Sequence, residues 1–241
     1  MLKGDQWRAI AFGVTVHAAR FGVIMAALST AAVFGVSGWY LGLAANAACV
    51  VFAIVLVSMR GLWRTSGLFV VWRGRVAALL LLPLVAEVLL WVVPYGLEDR
   101  PPGFGLWGLT LLLVGINEEL ISRVVVLERM RSSFTAPAAV TVTAALFGLQ
   151  HLSALVTTSR SVEDVMLNVV VSAGYGAALA AFQYRFRWVL PLILIHAAAD
   201  FTTVLTRAPL PDLLVAGTVV MFVALAAVTL RGRRTEARGA V

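Results

Sequence analysis

Charge is what this chain has least of. Only 13% of its 241 residues are Asp, Glu, Lys or Arg, against about a quarter in an ordinary soluble domain. A soluble core of this length needs many more polar surface positions, so a water-soluble globular class is excluded. Cysteine is nearly absent: Cys49 is alone, which rules out an internal disulfide framework and leaves a small packing residue in mid-span. Histidine occurs three times. Long polar insertions and internal repeats are missing, so neither a separate soluble domain nor a solenoid is expected. Met1 to Arg20 lacks a small-residue cleavage site, and its apolar run is broken by His17 and Arg20, so no cleaved leader is expected.

What fills the chain instead is hydrocarbon. Hydrophobic residues make up 61% of it and the mean hydropathy is +0.95. Apolar runs of about 20 residues recur, the length that crosses a bilayer as a helix. The expectation is one all-α integral-membrane domain, residues 1–241, forming a polytopic transmembrane bundle of about eight spans. The spans are placed at about Arg20–Ser37, Trp39–Met59, Val76–Tyr95, Phe104–Met130, Ala136–Leu152, Val165–Tyr184, Trp188–Leu205 and Leu213–Leu230.

The net charge of +7 and the pI near 10.7 would suit a nucleic-acid partner. The arginines, however, fall in short loops between apolar runs, where they set topology. Sixteen of the nineteen Lys and Arg residues share one side of the eight-span scheme, among them Arg20, Arg123, Arg233, Arg234 and Arg238. Only Arg100, Arg160 and Arg207 fall on the other side. Both termini are therefore expected in the cytoplasm, with the protein in the cell membrane and no nucleic acid bound.

Three short patterns place ionisable groups inside these apolar runs: Glu118-Glu119-x-x-x-Arg123, Phe147-x-x-x-His151 and His196-x-x-x-Asp200. Such groups are expensive at membrane depth unless partnered, so they are candidates for function. Residues four apart share a helical face, which lets Glu119 pair with Arg123 and leaves Glu118 turned about 100° away for a different task. His196 and Asp200 also share a face, where a carboxylate can orient an imidazole. Counted from the expected cytoplasmic helix ends, Glu118, His151 and His196 lie roughly 14–21 Å deep, near one level in a core about 30 Å thick.

The chemistry open to such a cluster is hydrolysis, with Glu118 as general base toward water. His151 and His196 can bind a divalent metal ion, zinc being the candidate, or donate hydrogen bonds to water and a developing oxyanion. No His-Glu-x-x-His zinc signature is present, and no Ser–His–Asp or Ser–Lys arrangement stands out. Glu87, at membrane depth in the third span, reads as paired with a polar group on another helix, or as a gating or proton-path residue. His17 reads as interfacial. The rival classes are a non-catalytic membrane binder, scaffold or immunity factor that uses the same polar cluster, and a small transporter, although no inverted repeat is visible.

In order and spacing, the three patterns resemble the signatures of the CPBP family, the CAAX proteases and bacteriocin-processing enzymes also called Abi-type intramembrane proteases. The resemblance covers about residues 104–205. It implies a helical membrane endopeptidase acting on a membrane protein or peptide substrate, with Glu118 as the water-activating base. His151, His196 and Asp200 are then the other members of the site, with Glu119 and Arg123 in support. Members are described both as metallo- and as glutamate-type enzymes. A metal ion would fall to Glu118, His151, His196 and Asp200; the alternative is no cofactor. Type II prenyl endopeptidases usually end the third pattern in asparagine, whereas this chain has Asp200, closer to bacterial members.

Overall fold

A computed structural model describes residues 2–238, with side chains described as far as Arg231. The side chains of Arg233, Arg234 and Arg238, which entered the charge argument, lie outside the described residues. Every regular element is helical, and among the described residues the sole β pairing is an isolated bridge between Leu97 and Thr206. In chain order the helices are α1 (Gly4–Val33), α2 (Trp39–Met59), the short α3 (Trp63–Ser66), α4 (Arg75–Val92) and α5 (Phe104–Glu119). The chain continues from α5 without a break through a π-helical stretch, Leu120–Val126, into α6 (Leu127–Arg131). Next come α7 (Ala136–Leu149), a 3-10 turn (Gln150–Ser153), the short α8 (Ala154–Thr157), α9 (Val162–Phe186), α10 (Val189–Leu205) and α11 (Asp212–Arg238).

Six helices are long and apolar enough to cross a membrane: Gly4–Val33, Trp39–Met59, Arg75–Val92, Ala136–Thr157, Val162–Phe186 and Asp212–Arg231. The other two expected spans correspond to the helix that starts at Phe104 and to the shorter apolar helix Val189–Leu205. Large apolar side chains such as Val51, Leu79, Val170 and Val220 stand exposed on the outside. That arrangement suits lipid and would be an aggregation surface in water.

The first helix departs from the expectation. It starts at Gly4 rather than near Arg20, so His17 and Arg20 lie inside it and both are buried. Arg20 is therefore not a loop charge that sets topology. The second such correction is Arg123, which is 1% exposed and sits in the π-helical stretch.

Packing follows from small residues placed where helices meet. α9 packs against α7 and α11, α10 against α5 and α4, and α2 against α1 and α5. At Gly115 on α5 a Cβ would come 2.7 Å from the Ile193 carbonyl oxygen of α10, and at Gly148 on α7 it would come 2.6 Å from the Val169 carbonyl oxygen of α9. Close backbone approach at small residues is how membrane helices gain van der Waals contact without a hydrophobic drive. These two contacts sit beside the motif residues Glu118 and Phe147, so they fix the distance between the elements that carry the site.

A methyl group at Gly115 must push α5 from α10. Gly115→Ala is expected to lower stability by about 1–3 kcal/mol through overpacking. Gly105→Ala, where a Cβ meets open space, is expected to leave the thermal midpoint in detergent unchanged or slightly raised. Equal midpoints for the two variants would reject Gly115 as a contact that sets helix spacing.

Candidate active site

The polar groups gather where α1, α5, the π-helical stretch, the 3-10 turn and α10 meet. At the end of α5 the two adjacent glutamates diverge, as their 100° offset requires. Glu119, fully buried, turns toward Arg123: Oε2 lies 3.1 Å from the guanidinium Nε, one helical turn on. The Arg123 guanidinium also lies over the Phe147 ring, 4.2 Å from its centroid, a cation–π contact in a desolvated place. The first residue of the second pattern thus covers the arginine of the first.

Glu119 has a second partner. Its Oε1 accepts from His196 Nδ1 at 2.9 Å, and because an ionised carboxylate only accepts, Nδ1 carries the proton. Nε2 of the same ring then faces Asp200 Oδ2 at 3.7 Å and Glu118 Oε2 at 3.9 Å. The partner that orients the His196 ring through Nδ1 is therefore Glu119, not the Asp200 expected from the i, i+4 spacing. Phe147 and Tyr175 pack edge-on against the imidazole from two sides, with centroids 5.9 and 5.5 Å away.

Glu118 has polar partners of its own. Its Oε1 accepts from Arg20 Nη2 at 2.8 Å, and its Oε2 from Gln150 Nε2 at 3.0 Å. Arg20 Nε donates in addition to Asn117 Oδ1 at 2.9 Å, and Asn117 Nδ2 donates to Asn46 Oδ1 at 3.3 Å. So α1 and α2 both brace the first motif. His151, in the 3-10 turn, lies close to two backbone carbonyls through Nδ1, at 3.0 Å to Phe147 and 3.3 Å to Gly148. A carbonyl can only accept, so Nδ1–H donates and Nε2 keeps its lone pair.

His151, His196 and Asp200 line one cavity of about 490 Å³, together with Phe147, Tyr175 and Glu87. That is the size of a small-ligand or peptide-segment pocket. As a metal donor Glu118 is already engaged by Arg20 and Gln150, whereas each imidazole uses Nδ1 toward a carbonyl or carboxylate and leaves Nε2, the arrangement that metal-binding histidines also show. Among the described residues no group of three or more His, Cys, Asp or Glu side chains is placed to hold a metal ion.

Arg20, Asn117 and Gln150 were missed in the sequence. Arg20 carried a usable signal: extending the apolar run back toward Ala9 puts it mid-helix, where a lone arginine demands an acidic partner. Asn117 and Gln150 stand next to motif residues but belong to no recognisable pattern.

Residues 100–202 match a family model described as Rce1-like, type II CAAX prenyl endopeptidase. The matched segment is Rce1-like. It contains all three patterns and covers less than half of the chain, so Arg20 and Glu87 lie outside it. No curated protein and no solved structure matches the chain. The family match and the apolar helices support an integral-membrane endopeptidase of the CAAX-protease type.

Arg20 generates a sharp contrast. Arg20→Ala strands the buried Glu118 carboxylate and is expected to cost about 3–5 kcal/mol, as removal of one partner from a buried pair does. Arg20→Lys keeps the charge but loses the fork that reaches both Asn117 and Glu118, so recovery should be partial. Arg8→Ala, which removes an exposed pair with Asp5 at 3.9 Å, should stay within about 0.5 kcal/mol of the parent protein. Thermal unfolding of the three variants in detergent tests this, and similar losses for Arg8 and Arg20 would reject the Arg20–Glu118 pair.

Proposed function

We propose that this chain is an intramembrane endopeptidase that hydrolyses peptide bonds of membrane protein or peptide substrates, with Glu118 activating water. The proposal includes eight crossings of the cell membrane and both termini in the cytoplasm, which the arginine distribution favours. The observation that carries the reading is that the second and third patterns line one cavity and Glu118 of the first reaches the imidazole on its wall. Glu118 Oε2 and Asp200 both lie within 4 Å of His196 Nε2, and His151 shares the cavity wall.

The groups divide the work of hydrolysis. Arg20 occupies Glu118 Oε1, so Oε2, on the side of His196, is the oxygen that takes a proton from water as its oxygen adds to the substrate carbonyl carbon. His151 Nε2, an acceptor in its assigned tautomer, orients that water. His196, held through Nδ1 by Glu119, carries a second proton on Nε2 between Glu118 and Asp200 and donates it as a hydrogen bond to the oxyanion that forms on the carbonyl. Glu118 then returns the proton to the leaving amine as the C–N bond breaks, so base and acid are one residue. Glu119 and Arg123 act through His196 and touch no substrate. The proton transfer alone is worth about 10²–10⁴-fold in rate.

Glu118→Gln keeps size and can still meet Arg20, but it removes the base. Terminal-peptide mass spectrometry should detect new peptide ends in membranes complemented with the parent chain and none with Glu118→Gln at matched expression. Identical profiles would move the site to a binding or scaffold role. On the metal question, actively cleaving protein is expected to hold well below one zinc per chain by elemental analysis. Stoichiometric zinc that disappears in a His151→Ala/His196→Ala double variant would replace the glutamate-only route with a metal-assisted one.

A further inference from the structure

Glu87 is the carboxylate the mechanism leaves over. It lies on α4, outside the three patterns and outside the family match, yet it lines the same cavity as His151, His196 and Asp200. The charges around that cavity otherwise match. Glu118 meets Arg20, Glu119 meets Arg123 and His196, and Asp200 faces His196. Glu87 is 9% exposed, and its Oε1 accepts a single hydrogen bond from the Trp91 indole at 2.7 Å, while its Oε2 is buried with no partner. Across the same wall the hydroxyl of Tyr175 is also buried without a partner. Arg160, the lysine or arginine on the cavity lining, is exposed and has a guanidinium nitrogen committed to the Asp164 carbonyl at 3.1 Å.

A carboxylate at membrane depth with one neutral donor is under-satisfied, and groups of this kind mark substrate paths. Two orphaned polar atoms, one a carboxylate oxygen and one a phenol, border a cavity whose other wall carries the hydrolytic groups. Beside them the Trp91 indole offers a π face that attracts cations. A neutral apolar substrate group would leave Glu87 Oε2 unmatched, whereas an ammonium or guanidinium would satisfy it and could donate to the Tyr175 oxygen as well. Sites built to hydrogen-bond a polar group reject the analogue that lacks it far more strongly than apolar pockets reject a misfit.

We propose that Glu87, with Tyr175 and Trp91, forms a subsite for a cationic substrate group next to the scissile bond, so that the enzyme selects peptides with a basic side chain or a free α-amino group there. The substrate class rests on the peptidase reading; the cation subsite itself does not. Glu87 binds and selects, and takes no part in the proton transfers.

The test uses the full chain in lipid nanodiscs and fluorescent Ala/Leu peptides with one central Lys, acetyl-lysine or norleucine, each with a free or acetylated N-terminus. Binding is measured to Glu118→Gln protein, with and without Glu87→Gln, a substitution that keeps an acceptor for Trp91. Cleavage by the parent protein is mapped on a mixed peptide library. The expected result is binding of the Lys peptide at least about tenfold tighter than of the acetyl-lysine and norleucine peptides, the scale of one hydrogen-bonded charge. The ratio should fall toward one with Glu87→Gln, and Lys or Arg should be enriched at one position in the cleavage map. A Glu87-dependent advantage for free N-termini rather than for Lys supports the subsite and identifies its cation as the α-amino group. Equal binding of all peptides, or a preference that survives Glu87→Gln, overturns the subsite. Because the preference for Lys over acetyl-lysine is read on Glu118→Gln protein that retains Glu87, and the basic preference again in the parent protein's cleavage map, a misfolded Glu87→Gln cannot hide a negative result. Glu87-dependent binding with no cleavage would sink the peptidase reading and keep the subsite. Cleavage without a basic preference would do the reverse.

Discussion

Everything at the centre of this protein depends on the need to match charge in a place without water. The matched groups form a chain: Arg20 to Glu118, Glu118 near His196, His196 to Glu119, Glu119 to Arg123, with Phe147 over the last guanidinium. Each link is worth little net against a well-packed apolar substitute, because desolvation offsets most of the Coulomb gain. Its effect is to make partial assembly costly. Remove one member and the buried charge of its neighbour is less fully matched, which sets the helices carrying them in one arrangement. The polar groups therefore act as a register for five elements of the bundle, and that register is also the geometry on which the proposed hydrolysis rests.

That register demands backbone proximity, and the chain supplies it with small residues and a change of helical pitch. Gly115 and Gly148 let α5 meet α10 and α7 meet α9 at backbone distance. Between Glu119 and Leu127 the helix becomes π-helical, a form found mostly as local insertions at functional sites. The widened turn carries Arg123, which makes contact both with Glu119 behind it and with Phe147 on the next helix. The 3-10 turn at Gln150–Ser153 has a comparable effect at the other wall, ending α7 so that Gln150 and His151 face different partners, Glu118 and the cavity.

Much of this was legible in the sequence, and the misses have physical reasons. Apolar length and scarcity of charge sufficed for an all-helical membrane bundle, because lipid leaves so few alternatives to the backbone. The six motif residues were legible because ionisable groups in apolar runs stand out, and i, i+4 spacing correctly paired Glu119 with Arg123. Spacing misjudged His196, whose ring is oriented by Glu119, a residue 77 positions away. The same limit hid Arg20, 98 positions from Glu118. An arginine near the start of a span looks like a topology charge unless the helix is known to begin earlier. The π and 3-10 segments left no composition signal, since both are set by tertiary contact rather than by propensity.

The division between the matched segment and the rest of the chain has a consequence for how such a site is specialised. Residues 100–202 carry the three patterns, while Arg20 on α1, Asn46 on α2 and Glu87 on α4 reach the same centre from outside that segment. Brace and cavity wall thus come from helices whose sequence is free of the spacing the three patterns impose. Substitution on α4 can reshape what the cavity accepts at a distance from Glu118, because α4 packs chiefly against α10. Substitution on α1 acts the other way, since Arg20 grips Glu118 itself. On the proposed function, the architecture separates the residue that would tune selectivity from the one that holds the base, by assigning them to different helices.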